Sequence, residues 1–178
     1  MEFSKLLEER RSIRAYAEGI SVTKEEIEQI IYAAQQAPSW TNSQTGRYYV
    51  AITKEGIEAV KSALPGFNAE RTQNVAGYIV TAFKTKISGH DGDGNPTDNG
   101  GDAWGAYDLG LQNENLLLKA RELGYDTLIM GLRDSAKLTE IFDIPSDEAI
   151  MAVIALGKRI TDPEKPQRRE LSEILKLI

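Results

Sequence analysis

Apolar positions follow two rhythms along this chain, helical and strand-like, which alternate from end to end with no linker or internal repeat between them. Ile27, Ile30, Ile31 and Ala34 recur at the i, i+3, i+4, i+7 spacing of a helix face, Thr23 and Glu26 stand at the spacing of a reciprocal N-terminal cap, and Pro38 stops the run. A shorter helix precedes it, with Ser4 as the expected cap and Leu6 and Leu7 as its apolar residues, and it runs into the basic stretch 10–14. Residues 48–53 and 78–83 are rich in β-branched and aromatic types and read as strands, with a helix over 55–64 between them.

Segment 88–101 breaks the pattern: its five glycines, one proline and several Asp and Asn residues predict a mobile surface loop. A long helix is expected over 102–123, with Leu109, Asn113, Leu116, Leu117 and Ala120 on one stripe and Gly124 as the stop signal, and it is the candidate for the most buried helix. Residues 127–130 form a short apolar run, and Asp134 is placed to cap a helix that continues through Phe142. Residues 149–156 are unbroken apolar, which predicts a strand covered on both faces, in the middle of a sheet. The charged tail ends in an amphipathic segment, 170–178, whose Leu171, Ile174, Leu175 and Ile178 need burial. Separated from the body by two prolines, that segment is placed to reach a partner subunit.

Composition narrows the chemistry. A chain of 178 residues has the length for one domain with a substantial core. No apolar run approaches the roughly 18–20 residues needed to cross a bilayer, and the N-terminus lacks a signal-peptide core, so a cytoplasmic protein with no membrane association is expected. The absence of cysteine excludes disulfides, thiol nucleophiles and cysteine-based metal sites. A net charge of -6 argues against nucleic-acid binding, so any bound anion must be met by a local cluster of cations. Asp91, Asp93, Asn95, Thr97, Asn99 and Asp102 fall at the ligand positions of a calcium loop, but Pro96 stands where the tight turn needs glycine and Asp102 where a bidentate Glu belongs. No metal site is expected, and His90, the sole histidine, reads as an exposed loop residue.

Three groups of residues carry candidate chemistry. Arg10, Arg11, Ser12 and Arg14, with Lys158 and Arg159 from the far end of the chain, suit a phosphate monoester, because guanidinium groups bind its oxygens bidentately. Taken alone, the N-terminal cluster reads more readily as a solvated basic helix end. Pro38, Ser39, Trp40, Thr41, Asn42, Ser43 and Gln44 offer polar groups and one flat apolar wall, or form an ordinary polar turn. Residues 123–131 place a glycine where a ligand ring can approach main-chain N–H groups, or are a helix stop followed by a buried strand.

Together the groups resemble the nitroreductase family over nearly the whole chain. The resemblance rests on Arg-Arg-Ser-x-Arg at 10–14, Pro-Ser-x-x-Asn-x-Gln at 38–44, the helix-Leu-Gly pattern at 116–124, and Gly157-Lys158-Arg159. It implies an α+β fold in three layers (α/β/α), a central, mostly antiparallel mixed sheet flanked by helices, in a single domain over 1–178, with the C-terminal tail extending to the partner of a homodimer. It implies FMN as cofactor and NADH or NADPH as the transient electron donor. Hydride then passes in ping-pong turnover to a nitroaromatic, quinone or similar small-molecule oxidant. Arg10, Arg11, Ser12, Arg14, Lys158 and Arg159 are implied as phosphate and ribityl ligands. Pro38, Ser39, Trp40, Asn42 and Gln44 are implied as contributions to the flavin of the other subunit. Asn68 and Arg71 are implied at the pyrimidine edge, and the main chain of Met130 and Gly131 at flavin N5. No protein acid or base is obligatory, because the cofactor carries the redox step. Trp40, Trp104 and Tyr107 are candidates for a substrate lid, or for core packing. Thr45-Gly46-Arg47 follows Gln44 where relatives often carry Pro-Trp, so the neighbouring wall differs. Enone reduction, dehalogenation and a non-enzymatic FMN-binding dimer are the alternatives of the same fold.

Overall fold

The computed structural model describes residues 2–178. Its first helix, α1 (Phe3–Glu9), buries Leu6 alone and is entered from Glu2, with Ser4 inside the first turn instead of capping it. The next helix, α2 (Lys24–Gln35), has the reciprocal cap that its sequence predicts: the Glu26 N–H donates to the Thr23 hydroxyl at 3.2 Å, and the Thr23 N–H donates to the Glu26 carboxylate at 2.9 Å. Such caps satisfy N–H groups that a helix start leaves without partners, and each contributes about 1 kcal/mol. Strand β1 (Gly46–Ala51) leads to α3 (Lys54–Lys61), and Pro65 then opens a short helix, α4 (Gly66–Arg71), that the apolar pattern did not announce. The remaining elements are β2 (Gly77–Lys84), α5 (Ala103–Glu122), β3 (Asp126–Met130), α6 (Ser135–Phe142), β4 (Glu148–Gly157) and α7 (Leu171–Ile174).

The four strands form one sheet in the order β1-β2-β4-β3. Every neighbouring pair is antiparallel, so the mixed character expected of the sheet is reduced to a parallel bridge between Ser12 and Thr127 on the free edge of β3. That bridge is the first link between the N-terminal segment and the site, since the Ile13 N–H donates to the Thr127 carbonyl at 2.9 Å.

Strand periodicity then divides the core into two halves. Val153 and Ala155 of β4 face α3 and α6, where they meet Val60, Ala63 and Leu138. Ile154 and Leu156 face the opposite way, onto Ile27, Ile30 and Ala34 of α2 and Leu116, Leu117 and Ala120 of α5. With helices on both faces, β4 has no polar side to present, which is why its sequence does not alternate. Truncating one fully buried residue here, such as Leu116, removes about 2–5 kcal/mol of stability.

Segment 88–101 is irregular, but it has its own hydrogen bonds: the Thr97 N–H donates to the Gly89 carbonyl at 2.9 Å and the Asp91 N–H to the Asn95 carbonyl at 2.9 Å. His90 does not stand exposed. Its side chain is 5% accessible, with Nδ1 3.0 Å from the Ser88 carbonyl and 4.0 Å from the Asp102 carboxylate.

Candidate functional site

The N-terminal cations border open space. Arg10, Arg11, Ser12 and Arg14 line a cavity of about 160 Å³ whose other wall is the tail, through Pro163, Glu164, Pro166 and Arg168. An ion pair between Lys165 and Glu8 fastens the tail across it. Arg10 lies 3.7 Å from Glu114 of α5. Arg11 and Arg14 bond only to nearby main-chain carbonyls, as does Arg168, so these three guanidinium groups form no ion pair among the described residues. Arg168 was not anticipated as part of the cluster. Its signal was a second basic stretch, Lys165 to Arg169, lying among the tail prolines.

Lys158 and Arg159 do not join this cavity. The two ends of the chain do meet through the main chain, where the Ala17 N–H donates to the Lys158 carbonyl at 2.8 Å and Tyr16 bridges Arg159. The side chains part there. Arg159 donates to Asp126 from Nε at 2.9 Å and from Nη2 at 2.5 Å, and to Asp162 from Nη1 at 2.5 Å. Asp126 is buried and also receives Arg121 at 3.3 Å. An unpaired carboxylate there would cost several kcal/mol, about 3–5 by analogy with broken buried pairs, so the fold commits Arg159 to it. The hydrogen bond and charge of Asp126 hold the Arg159 guanidinium above its usual pKa. Lys158 points elsewhere, with its ammonium 5.6 Å from the centroid of the Tyr125 ring.

At the other end of β3 the chain makes a turn whose polar groups are held by side chains. Gly131 and Leu132 are exposed, and nothing lies within 4 Å of the position a Gly131 side chain would take. Yet the Gly131 carbonyl accepts from Arg133, the Leu132 carbonyl accepts from Asn68 at 3.4 Å, and the Asp134 N–H donates to the Ala63 carbonyl at 2.8 Å. Arg133 also donates to the Ile150 carbonyl, has a buried Nε with no partner and forms no ion pair among the described residues; burial lowers its pKa from the ordinary guanidinium value. Met130 itself is buried in the core and paired with Val153 in the sheet, so the exposed part of this stretch begins at Gly131. Asn68 therefore reaches the predicted ring-binding stretch, whereas Arg71, one turn later on α4, is exposed with its guanidinium 5.4 Å above the Phe67 ring. Arg133, which sequence reasoning passed over, is the cation attached to this turn.

The loop at 38–44 is strained and anchored. Thr41, Asn42 and Gln44 have φ of 46°, 58° and 50°, left-handed values that side chains other than glycine disfavour and that concentrate at binding sites. What holds them is a buried carboxylate on α5: Asp108 accepts from the Trp40 N–H at 3.0 Å and from the Ser88 hydroxyl at 2.7 Å, while Ser88 sits 2.7 Å from the Ser43 hydroxyl. The Gln44 N–H closes the loop on the Ser39 hydroxyl at 3.0 Å. Pro38 and the side chains of Asn42 and Gln44 remain exposed. No local signal marked Asp108, because it stands beside the apolar stripe of α5 and its partners lie 68 and 20 residues away. The Trp40 ring packs on Trp104 at 4.7 Å between centroids and 50° between planes, and Trp104 meets Tyr107 edge-on at 5.8 Å. Trp104 is half-buried and Tyr107 is 59% exposed, so these aromatics form a surface rather than core.

Three comparisons bear on this arrangement. The model of the nitroreductase family matches residues 7–86 and 90–158. A protein of Archaeoglobus fulgidus, provisionally named NADH dehydrogenase/NAD(P)H nitroreductase, is 29% identical over 160 residues, covering 88% of this chain and 84% of the relative. Among solved structures, a nitroreductase-type protein of Exiguobacterium sibiricum in complex with FMN superposes with a TM-score of 0.88 at 22% identity, covering 100% and 98% of the two chains. An enone reductase of gut-bacterial fatty acid saturation, CLA-ER, does so with a TM-score of 0.86 at 20% identity, over 99% and 98%. The family match spans β1 to β4 and both ends of the site just described, and by it the chain belongs to the nitroreductase family.

Proposed function

We propose that this chain is one subunit of a homodimeric FMN-dependent oxidoreductase that moves hydride from NAD(P)H to a nitroaromatic, quinone or similar electron-poor acceptor. The observation that carries the reading is the pairing of two features along β3. Unpaired guanidinium groups border a cavity beside Thr127, and at Gly131 a rigid turn leaves its peptide open. Four strand residues separate them by about 13 Å, a span suited to a phosphate, a five-carbon ribityl chain and the near edge of a flavin ring.

The residues fit the cofactor in charge as well as in length. Arg11, Arg14 and Arg168, with the Ser12 hydroxyl, supply donors and positive charge for a phosphate dianion. Asn68 and the Gly131 main chain offer donors at the ring, and the Arg133 guanidinium supplies a buried positive charge next to them. FMN, when bound, would supply the two-electron chemistry that links oxidation of NAD(P)H to reduction of an electron-poor acceptor such as a quinone. The protein orients the ring, keeps the Gly131 peptide fixed and presents one face to donor and acceptor in turn. Exposed Ile129 and Leu132 beside the site, and Leu171, Ile174, Leu175 and Leu177 in the tail, are apolar surface that a second copy would cover, bringing loop 38–44 to the partner's flavin.

The test is spectroscopic. Purified protein loaded with FMN should lose its flavin colour anaerobically on addition of NADH or NADPH and regain it with a quinone or nitroarene, and should run as a dimer on gel filtration. A flavin that neither nicotinamide bleaches would refute the oxidoreductase reading. A monomeric holoprotein would refute the shared site.

A further inference from the structure

Segment 88–101 is built around one indole. Trp104 donates from Nε1 to both oxygens of Asp98, at 3.2 and 3.0 Å, and the Gly100 N–H donates to the same carboxylate at 2.7 Å. Two glycines of the segment make room for the ring: a Cβ on Gly89 would stand 2.5 Å from Trp104 Cδ1, and one on Gly100 would stand 2.8 Å from Trp104 Nε1. Gly89 also has φ of +75°, and its carbonyl is gripped twice by Thr97, from the main chain at 2.9 Å and from the hydroxyl at 3.0 Å. On its far side Trp104 rests on Trp40, the other tryptophan of the chain, whose N–H is held by Asp108. One carboxylate thus holds the Trp104 indole and the other the main chain of Trp40, and Tyr107 meets Trp104 edge-on.

The two indole planes are inclined by 50° with their centroids 4.7 Å apart. A flat molecule can lie on one ring with its edge toward the other, and the contact grows with the number of fused rings. We propose that segment 88–101 is the acceptor-selecting element of the enzyme, with Asp98 as a positioning residue that holds Trp104 against Trp40, so that planar acceptors of two fused rings are favoured over single-ring ones. This rests on the reading that loop 38–44 borders the flavin, because Trp104 goes where Trp40 goes.

The experiment compares Asp98→Ala, Asp98→Asn and Trp104→Leu with the parent. Near-UV circular dichroism of FMN-free protein reads the two coupled indoles directly. The coupled band should collapse in Asp98→Ala and Trp104→Leu and persist in Asp98→Asn, whose amide oxygen still accepts from the indole. In holoprotein, the ratio of kcat/KM for menadione to that for 1,4-benzoquinone should fall about threefold to tenfold in Asp98→Ala and Trp104→Leu, through KM for menadione, and return in Asp98→Asn. Unchanged dichroism in Asp98→Ala would overturn the positioning role. A flavin that NADH bleaches, together with an unmoved ratio in Trp104→Leu, would overturn the acceptor role while leaving the oxidoreductase reading intact. A flavin that no nicotinamide bleaches would overturn that reading and the acceptor role together.

Discussion

Two basic stretches of this chain, 10–14 and 158–159, are alike in composition and unlike in what they do. Arg159 is locked between Asp126 and Asp162, and Lys158 lies over an aromatic ring, while Arg11 and Arg14 line a cavity and hydrogen-bond only to main-chain oxygens. The difference lies in the carboxylates, not the cations. Asp126 is buried at the point where the two ends of the chain meet, so a guanidinium there is required by the fold. No carboxylate forms an ion pair with Arg11, Arg14 or Arg168 among the described residues, and an anion from outside can take that place.

Three experiments would sharpen or break this contrast. The largest effect is expected at the structural pair: Asp126→Ala should lower the free energy of unfolding by about 3–5 kcal/mol, read from urea denaturation. A loss below about 1 kcal/mol would mean that the ion pair is not what holds the chain ends. Next comes the open cluster. Removing Arg14 and Arg168 together should weaken FMN binding about a hundredfold, since each charge-assisted hydrogen bond is worth about 1.5–3 kcal/mol, and should leave the urea midpoint almost unmoved. Binding by fluorescence titration checks this, and unaltered affinity would place the phosphate elsewhere. The smallest effect is at Lys158, where alanine should cost about 0.5 kcal/mol of stability through the lost contact with Tyr125 and change FMN affinity less than about twofold. A tenfold loss of affinity would return Lys158 to the phosphate site.

How far the sequence carried the reading depended on whether its signals were local. Helix α2 was legible because both partners of its cap lie within four residues, and β4 because a strand covered on two faces has to be apolar throughout. The short N-terminal pattern and the loop at 38–44 stood out as candidates because they cluster polar and basic residues, and the structure brings the first of them to the wall of a cavity. What escaped was decided at a distance. Asp126 stands 33 residues from Arg159, and no spacing rule connects them. Arg133 looks like an ordinary charged residue after a strand until its bonds to the Gly131 and Ile150 carbonyls are seen. Segment 88–101 escaped for a different reason: glycine serves a flexible loop and a tight cradle equally well, and composition does not separate the two. His90 was read as exposed because it had no second His or Cys with which to share a metal, whereas its side chain is turned in against the Ser88 carbonyl.

The meeting of the two chain ends at one carboxylate also orders events during synthesis. Residues 12–17 form their bridges with Thr127, Lys158 and Arg159, and all three are synthesised long after them. Closing so long a loop is slow, and the edge of β3 has to wait for it. The arginine-lined cavity is therefore among the last parts of the molecule to take shape, and a nascent chain stalled before β4 would hold most of its helices yet lack the tail residues that wall that cavity.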